Sequence, residues 1–198
     1  MDIDSGSFNK AGVNAVNDWL DKRLWTIGFL VERLPQETFG DDLLASMEAI
    51  GKGHILLLGH SDTVFPKGTA AEHLMTIRYD RVLGLGTCDM KAGLLTGLYA
   101  VGALLEAGFN DYGRITYLCV SAEEIEERHS HDLLPRVGRE ADAALTLEAA
   151  RENGDIATAR KGMRLFLIEA FGHAVHAGVE PEKRRGAIIA AGPSPPCP

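Results

Sequence analysis

The sequence predicts an α/β domain, a mostly parallel sheet flanked by helices. Three observations lead there. Apolar runs of strand length, Ile55–Leu58, Ile115–Val120 and Ala143–Leu147, alternate with segments of helical period. Glycine closes the helical segments, as at Gly28 and Gly108. Each apolar run is followed closely by a residue able to bind a cation or move a proton, and the carboxyl edge of an open α/β sheet is where such folds build their sites.

Taken in order, Asn9 to Ile27 reads as a helix, with Val13, Val16, Leu20 and Leu24 at helical spacing. Trp19 and Trp25 are expected to pack at its core or edge. Phe29–Leu34, Leu43–Ile50 and His54–Gly59 read as strands, and Met75–Leu83 as a short hairpin turning at Asp80-Arg81. Lys91–Ala107 is a second helix, Ile115–Ser121 a strand, His131–Gly138 a short helix and Asp142–Glu148 a strand. Ile156–Arg160 and Met163–Phe171 are predicted to be two more strands, the second opening a further unit. The expected division is one domain over 1–161 and the start of a second over 162–198.

The chemistry-bearing residues sit at four stations. On a strand, residues i and i+2 face the same way, so His60 and Asp62, at the end of Ile55–Gly59, can enter one site. A ligating histidine usually gives its other ring N–H to a carboxylate or carbonyl, a partner Asp62 can supply. Asp89 stands in a glycine-containing loop, Gly84-Leu85-Gly86-Thr87-Cys88-Asp89, just before a helix; the phosphate-binding pattern Gly-x-x-x-x-Gly-Lys-Ser/Thr is absent. Glu123 and Glu124 follow the Ile115–Val120 run, and adjacent carboxylates can divide the work of holding a cation and acting as a base. Glu148 closes the last run. For each the plain reading, a capped turn or solvated charge, stands beside the chemical one; their order along the chain favours the chemical one.

Five motifs together resemble the co-catalytic zinc metallopeptidase family of glutamate carboxypeptidase, acetylornithine deacetylase and succinyl-diaminopimelate desuccinylase. They are His60-x-Asp62-Thr63-Val64, Gly84-x-Gly86-x-x-Asp89-Met90-Lys91-x-Gly93, Glu123-Glu124, Glu148, and Gly172-His173-Ala174-Val175-His176-Ala177-Gly178. The resemblance implies a hydrolase-like dizinc peptidase catalytic domain followed by the start of an α+β lid. It makes His60 and Glu148 ligands of one zinc, Asp89 the carboxylate shared by both zincs, and Glu124 a ligand of the second. It makes Glu123 the general base, Asp62 the residue orienting His60, and His176 the lid histidine. The peptide after the bridging aspartate, here Asp89–Met90, is often cis in that family. The implied cofactor is Zn2+, two ions per complete site, with Co2+ or Mn2+ accepted by the same donors. The implied reaction is hydrolysis of an amide bond in a small peptide or N-acyl amino acid, with Arg160 and Lys161 available to pair with a substrate carboxylate. A homodimer through a complete lid is expected. Asp4-Ser5-Gly6-Ser7 and Arg160-Lys161-Gly162 lean toward the glutamate carboxypeptidase branch.

The sequence departs from that pattern in one respect that matters. The family's second zinc takes a further histidine after the lid, and none of the seven histidines follows His176. The second site is therefore expected to be weak, because a catalytic zinc normally has three protein ligands. The tail Pro193-Ser194-Pro195-Pro196-Cys197-Pro198 suits neither helix nor strand. The expectation is a fragment of a longer gene product, cut by a frameshift or early stop in the lid. Against the exopeptidase reading stand an inactive remnant that binds one metal, an N-acyl-amino-acid deacetylase, and a plain structural α/β domain.

A net charge of −8 and the lack of a basic stripe argue against a nucleic-acid partner. Cys88, Cys119 and Cys197 show neither CxxC spacing nor an even number, so no disulfide framework or cysteine-zinc site is indicated. No unbroken apolar run approaches the ~18 residues of a membrane span, so no membrane partner is expected, and a cytoplasmic location is.

Overall fold

The computed structural model describes residues 1–125, 130, 132–162 and 167–173. The chain divides into two compact units, Met1–Gly154 and Asp155–Pro198. The first contains helices α1 (Lys10–Thr26), α2 (Thr69–Glu72), α3 (Ala92–Glu106) and α4 (Leu133–Glu140). Its strands are β1 (Leu30–Leu34), β2 (Asp42–Glu48), β3 (His54–His60), β4 (Thr76–Arg78), β5 (Arg81–Leu83), β6 (Arg114–Val120) and β7 (Ala143–Thr146). In the second unit the described residues form neither helix nor strand, so the predicted strand at Ile156–Arg160 is absent and the described end of Met163–Phe171 is not a strand. Exposure explains this: among the described residues Ile156, Leu167, Ile168 and Phe171 are all exposed and offer no buried face to fix a register.

Five strands form one sheet in the order β1-β2-β6-β3-β7. β3 pairs parallel with β6 and β7, whereas β2 pairs antiparallel with β1 and β6. The sheet is therefore mixed and not mostly parallel. The connection from β1 to β2 is too short for a crossover, so those two strands must run as a hairpin. β4 and β5 form a separate two-stranded hairpin.

The strand alternation sorts side chains onto two faces. Leu43, Ala45, Leu57, Tyr117 and Cys119 face one core with Leu20 and Leu24 of α1 and Leu94, Leu98 and Val101 of α3. Leu56, Leu118 and Val120 face the other with Leu133 and Val137 of α4. Each fully buried Leu or Val contributes roughly 1.5–3 kcal/mol, so packing and not helix propensity holds the helices on the sheet. Asn9 caps α1, its side chain accepting from the Gly12 amide at 3.3 Å. Trp19 packs against Arg23, but Trp25 is 72% exposed, so only the first of the two tryptophans takes part in packing at this helix.

By mean hydropathy, though not by unbroken apolar run, the stretch Thr87–Glu106 is long and apolar enough to cross a membrane. It instead buries Leu94, Gly97, Leu98 and Val101 against the sheet.

The topology positions the site. The chain leaves β3, returns through α3 to β6 on one side, then through α4 to β7 on the other. The carboxyl ends of three parallel strands meet at one edge: His60 lies opposite Val120 and Leu58 opposite Thr146.

Candidate metal centre

His60 is the last residue of β3 and is 1% exposed. Three groups fix its ring and backbone. Its amide donates to Met90 Sδ at 3.1 Å. Its Nδ1 lies 3.1 Å from the Asp62 carbonyl oxygen and 3.2 Å from Asp62 Oδ1. That leaves Nε2 facing the sheet edge, 3.1 Å from Asp89 Oδ1, 3.6 Å from Glu148 Oε1 and 3.9 Å from Glu123 Oε2.

Each carboxylate arrives from a different element. Asp89 sits in the irregular turn Thr87–Lys91 that leads into α3, and its peptide bond to Met90 is cis. Glu123 and Glu124 form a single 3-10 turn just past β6. Glu148 follows β7, where the Leu147 amide donates to the Leu58 carbonyl at 2.8 Å and extends the ladder by one residue. Gly93, in the first turn of α3, lies so close to this segment that a Cβ there would overlap the Leu147 carbonyl.

Asp62 ties these parts together. Fully buried, its carboxylate accepts from Ser7 Oγ at 2.6 Å, the Glu123 amide at 3.1 Å and the Glu124 amide at 3.2 Å, besides facing His60. Burial alone would raise its pKa; the hydrogen bonds from His60 and Ser7, the charge on His60 and the Glu123 amide outweigh burial and hold it below the usual carboxylate value. Burial likewise pushes His60 down, but the hydrogen bond and charge of Asp62, then Glu148 and Glu123, bring it up to about 9. Glu124 and Glu148 are raised, first by burial and then, despite His60, by their carboxylate neighbours, Asp89 foremost.

The donor set fits a divalent cation. Ligand atoms of His60, Asp89 and Glu124 all lie within 4.8 Å of one another. A nitrogen donor with two carboxylates is a zinc-type set, and His60 already has the second interaction that orients a ligating imidazole. Among the described residues no other histidine, cysteine or acidic group forms such a set.

Residues 56–187 match the model of peptidase family M20/M25/M40. The chain belongs to this family. Its members are metal-dependent peptidases or amidohydrolases. Carboxypeptidase G2 of Pseudomonas sp. (strain RS-16) is 29% identical over 194 residues, an alignment covering 96% of this chain and 47% of that protein. Acetylornithine deacetylase of Photorhabdus laumondii is 34% identical over 129 residues, 62% of this chain and 31% of the deacetylase. The chain therefore spans less than half the length of these curated relatives. Among solved structures, the M20 family metallo-carboxypeptidase Sso-CP2 from Sulfolobus solfataricus superposes with a TM-score of 0.65 at 20% identity, over 77% of this chain and 36% of its own. Aminopeptidase PepT from Bacillus cereus gives a TM-score of 0.65 at 22% identity, over 96% and 52%. At such identities these two speak for the fold.

The M20 fold brings six of the seven residues singled out in the sequence to one edge: His60, Asp62, Asp89, Glu123, Glu124 and Glu148. His176 lies outside the described residues. Arg160 and Lys161 are exposed in the second unit. Sequence reasoning assigned no role to Ser7, Met90 or Asp42. Asp42 is 0% exposed and accepts from the Ser121 amide at 3.0 Å and Ser130 Oγ at 2.9 Å, holding the chain two residues before Glu123. Only the apolar neighbours of Asp42 hinted at burial, and nothing local in the sequence pairs Ser7 with Asp62.

Proposed function

We propose that this chain is the metal-binding part of a hydrolase of amide bonds, with exopeptidase substrates of the kind cleaved by a carboxypeptidase. The observation that carries this reading is the convergence of His60, Asp89 and Glu124 at the sheet edge of a chain in family M20/M25/M40. Alignment of 96% of the chain with carboxypeptidase G2 supports the carboxypeptidase branch.

His60, Asp89, Glu124 and Glu148 would hold zinc, two ions in a complete site. Bound there, the metal would supply Lewis acidity toward a scissile carbonyl and toward water. Asp62 holds the His60 ring so that Nε2 faces the carboxylates. Glu123, with its side chain 53% exposed and outside the convergent set of three, is the group free to take a proton from water and return it to the leaving nitrogen. His176 we assign to the substrate side of the lid.

The test is hydrolysis of dipeptides ending in glutamate by the purified chain with zinc, beside an N-acetylated amino acid. Glu123→Gln is expected to keep zinc and lose turnover by about 10²–10⁴-fold, whereas Glu124→Gln is expected to lose zinc. Turnover only of the N-acetyl substrate would move the reading to the deacetylase branch, which the likeness to acetylornithine deacetylase keeps open. Zinc binding without turnover of either would leave the chain a metal-holding remnant.

A further inference from the structure

We propose that Ser7 is a positioning residue of the metal centre, its hydroxyl holding the Asp62 carboxylate in the orientation that turns His60 toward Asp89 and Glu124. The inference rests on the reading of this edge as a metal site, and extends it to a residue 55 positions away in sequence from the one it serves.

Asp62 is sealed from solvent, so each lone pair it leaves unmatched is costly. Three of its donors, the His60 ring and the amides of Glu123 and Glu124, belong to the centre itself. The fourth is Ser7 Oγ, which at 2.6 Å makes the shortest contact of the set. A hydroxyl suits the task. It donates without neutralising Asp62, whose charge remains for His60, and it is a poor competitor for a zinc-type cation beside imidazole and carboxylates.

The backbone delivers this hydroxyl. Gly6 pairs with Thr63 in a parallel bridge; the Ser7 amide donates to the Thr63 carbonyl at 3.3 Å and the Thr63 amide to the Ser5 carbonyl at 2.9 Å. A Cβ on Gly6 would overlap the Phe65 carbonyl, so the segment lies against the chain that leaves Asp62. The segment is also tied down on its N-terminal side. The Asp4 carboxylate accepts from the amides of Gly68 and Ala70, both at 2.8 Å, and Lys91 Nζ donates to the Ile3 carbonyl at 2.8 Å.

Ser5 gives the comparison that separates position from packing. It is buried in the same segment, 1% exposed against 3% for Ser7, yet its hydroxyl has no hydrogen-bond partner among the described residues. Both serines are buried, and only the loss of the Ser7 hydroxyl takes a hydrogen bond from Asp62.

The experiment is zinc affinity by chelator competition, with the visible absorption of the Co2+-loaded chain, for the wild-type sequence and the variants Ser7→Ala, Ser7→Thr and Ser5→Ala. Ser7→Ala is expected to weaken zinc by about tenfold, as loss of a supporting hydrogen bond does at other metal sites, and to change the Co2+ spectrum. Ser7→Thr is expected to restore both, and Ser5→Ala to leave both as in the wild type. Ser7→Ala with wild-type affinity and spectrum overturns the proposal, as does an equal loss in Ser5→Ala. If Ser7→Ala does not fold, Ser7→Thr against Ser7→Val, matched in shape and differing in the hydroxyl, carries the same comparison. A wild-type chain that binds no zinc overturns the metal-site reading and this inference together; wild-type binding with an unaltered Ser7→Ala overturns this inference alone.

Discussion

Asp62 Oδ1 lies 3.2 Å from His60 Nδ1, and both side chains are shut away from solvent. The pair fixes the face that the imidazole offers to the sheet edge, and the Asp62 carboxylate also accepts from the two backbone amides of the Glu123-Glu124 turn.

Asp62→Asn should therefore weaken metal binding without removing any ligand. An amide can accept from Ser7 or an amide N–H but carries no charge for His60 and presents N–H groups of its own. The expected loss of zinc affinity is roughly 10–100-fold. Chelator competition measures it, and an unchanged dissociation constant would show that His60 needs no such partner.

The same pair makes the metal-free chain sensitive to pH. His60 is raised from 6.5 to about 9 in the folded state. The fold thus binds this proton more tightly than the unfolded chain does. The stabilisation is fully present below about 6.5 and is lost as pH rises through about 9. Urea unfolding with a chelator present should give midpoints that fall over that window; a flat profile would contradict the burial and pairing seen here.

Two glycines of α3 should respond oppositely to the same change. At Gly93 a Cβ would overlap the Leu147 carbonyl, next to Glu148, while at Gly102 nothing lies within 4 Å. Gly93→Ala is expected to cost about 1–3 kcal/mol and to weaken metal binding by displacing Glu148. Gly102→Ala is expected to gain about 0.5–1 kcal/mol from helix propensity. Denaturant midpoints and zinc affinities of the two variants decide the matter.

The cysteines should differ sharply toward an alkylating reagent. Cys88 is exposed, whereas Cys119 is fully buried on β6 and burial pushes its thiol up to about 12. At about pH 8 the folded chain should label at Cys88 and not at Cys119, with both reacting once it is unfolded. Peptide mapping by mass spectrometry reads this directly, and labelling of Cys119 in the folded chain would contradict its burial.

The elements of the first unit were legible because their signals are local. β3 and β6 carry the apolar-rich stretches Ile55–Leu58 and Ile115–Val120, Lys10–Thr26 has a clean helical period, and Gly108 marks where α3 must stop. The short β1–β2 connection forces a hairpin, but an apolar run does not show which neighbour it pairs with or in which direction; the sheet is mixed because β2 lies antiparallel to both β1 and β6. The ligand-type residues were legible because His60, Asp89, Glu124 and Glu148 each follow or precede an element end. What supports them was not. Ser7 reaches Asp62 across 55 residues and Asp42 reaches Ser121 across 79, pairings that only the closed sheet creates. The strand expected at Ile156–Arg160 had the right residue types, but each of its residues is exposed.

The parallel pairing of β3 with β6 also sets the order in which this protein can assemble. His54 meets Arg114, and Ile55 meets Ala143, so the sheet edge exists only after long stretches of chain have been brought together. Such closures are slow and gain nothing until the strands zip. No short peptide of this sequence contains His60, Asp89 and Glu124 within reach of one ion, so a metal has little to hold on to in the nascent chain. Metal capture at this triad would then be a late step, a seal on a finished sheet and not a template for it, and a bound ion would report that the last long-range pairing has formed.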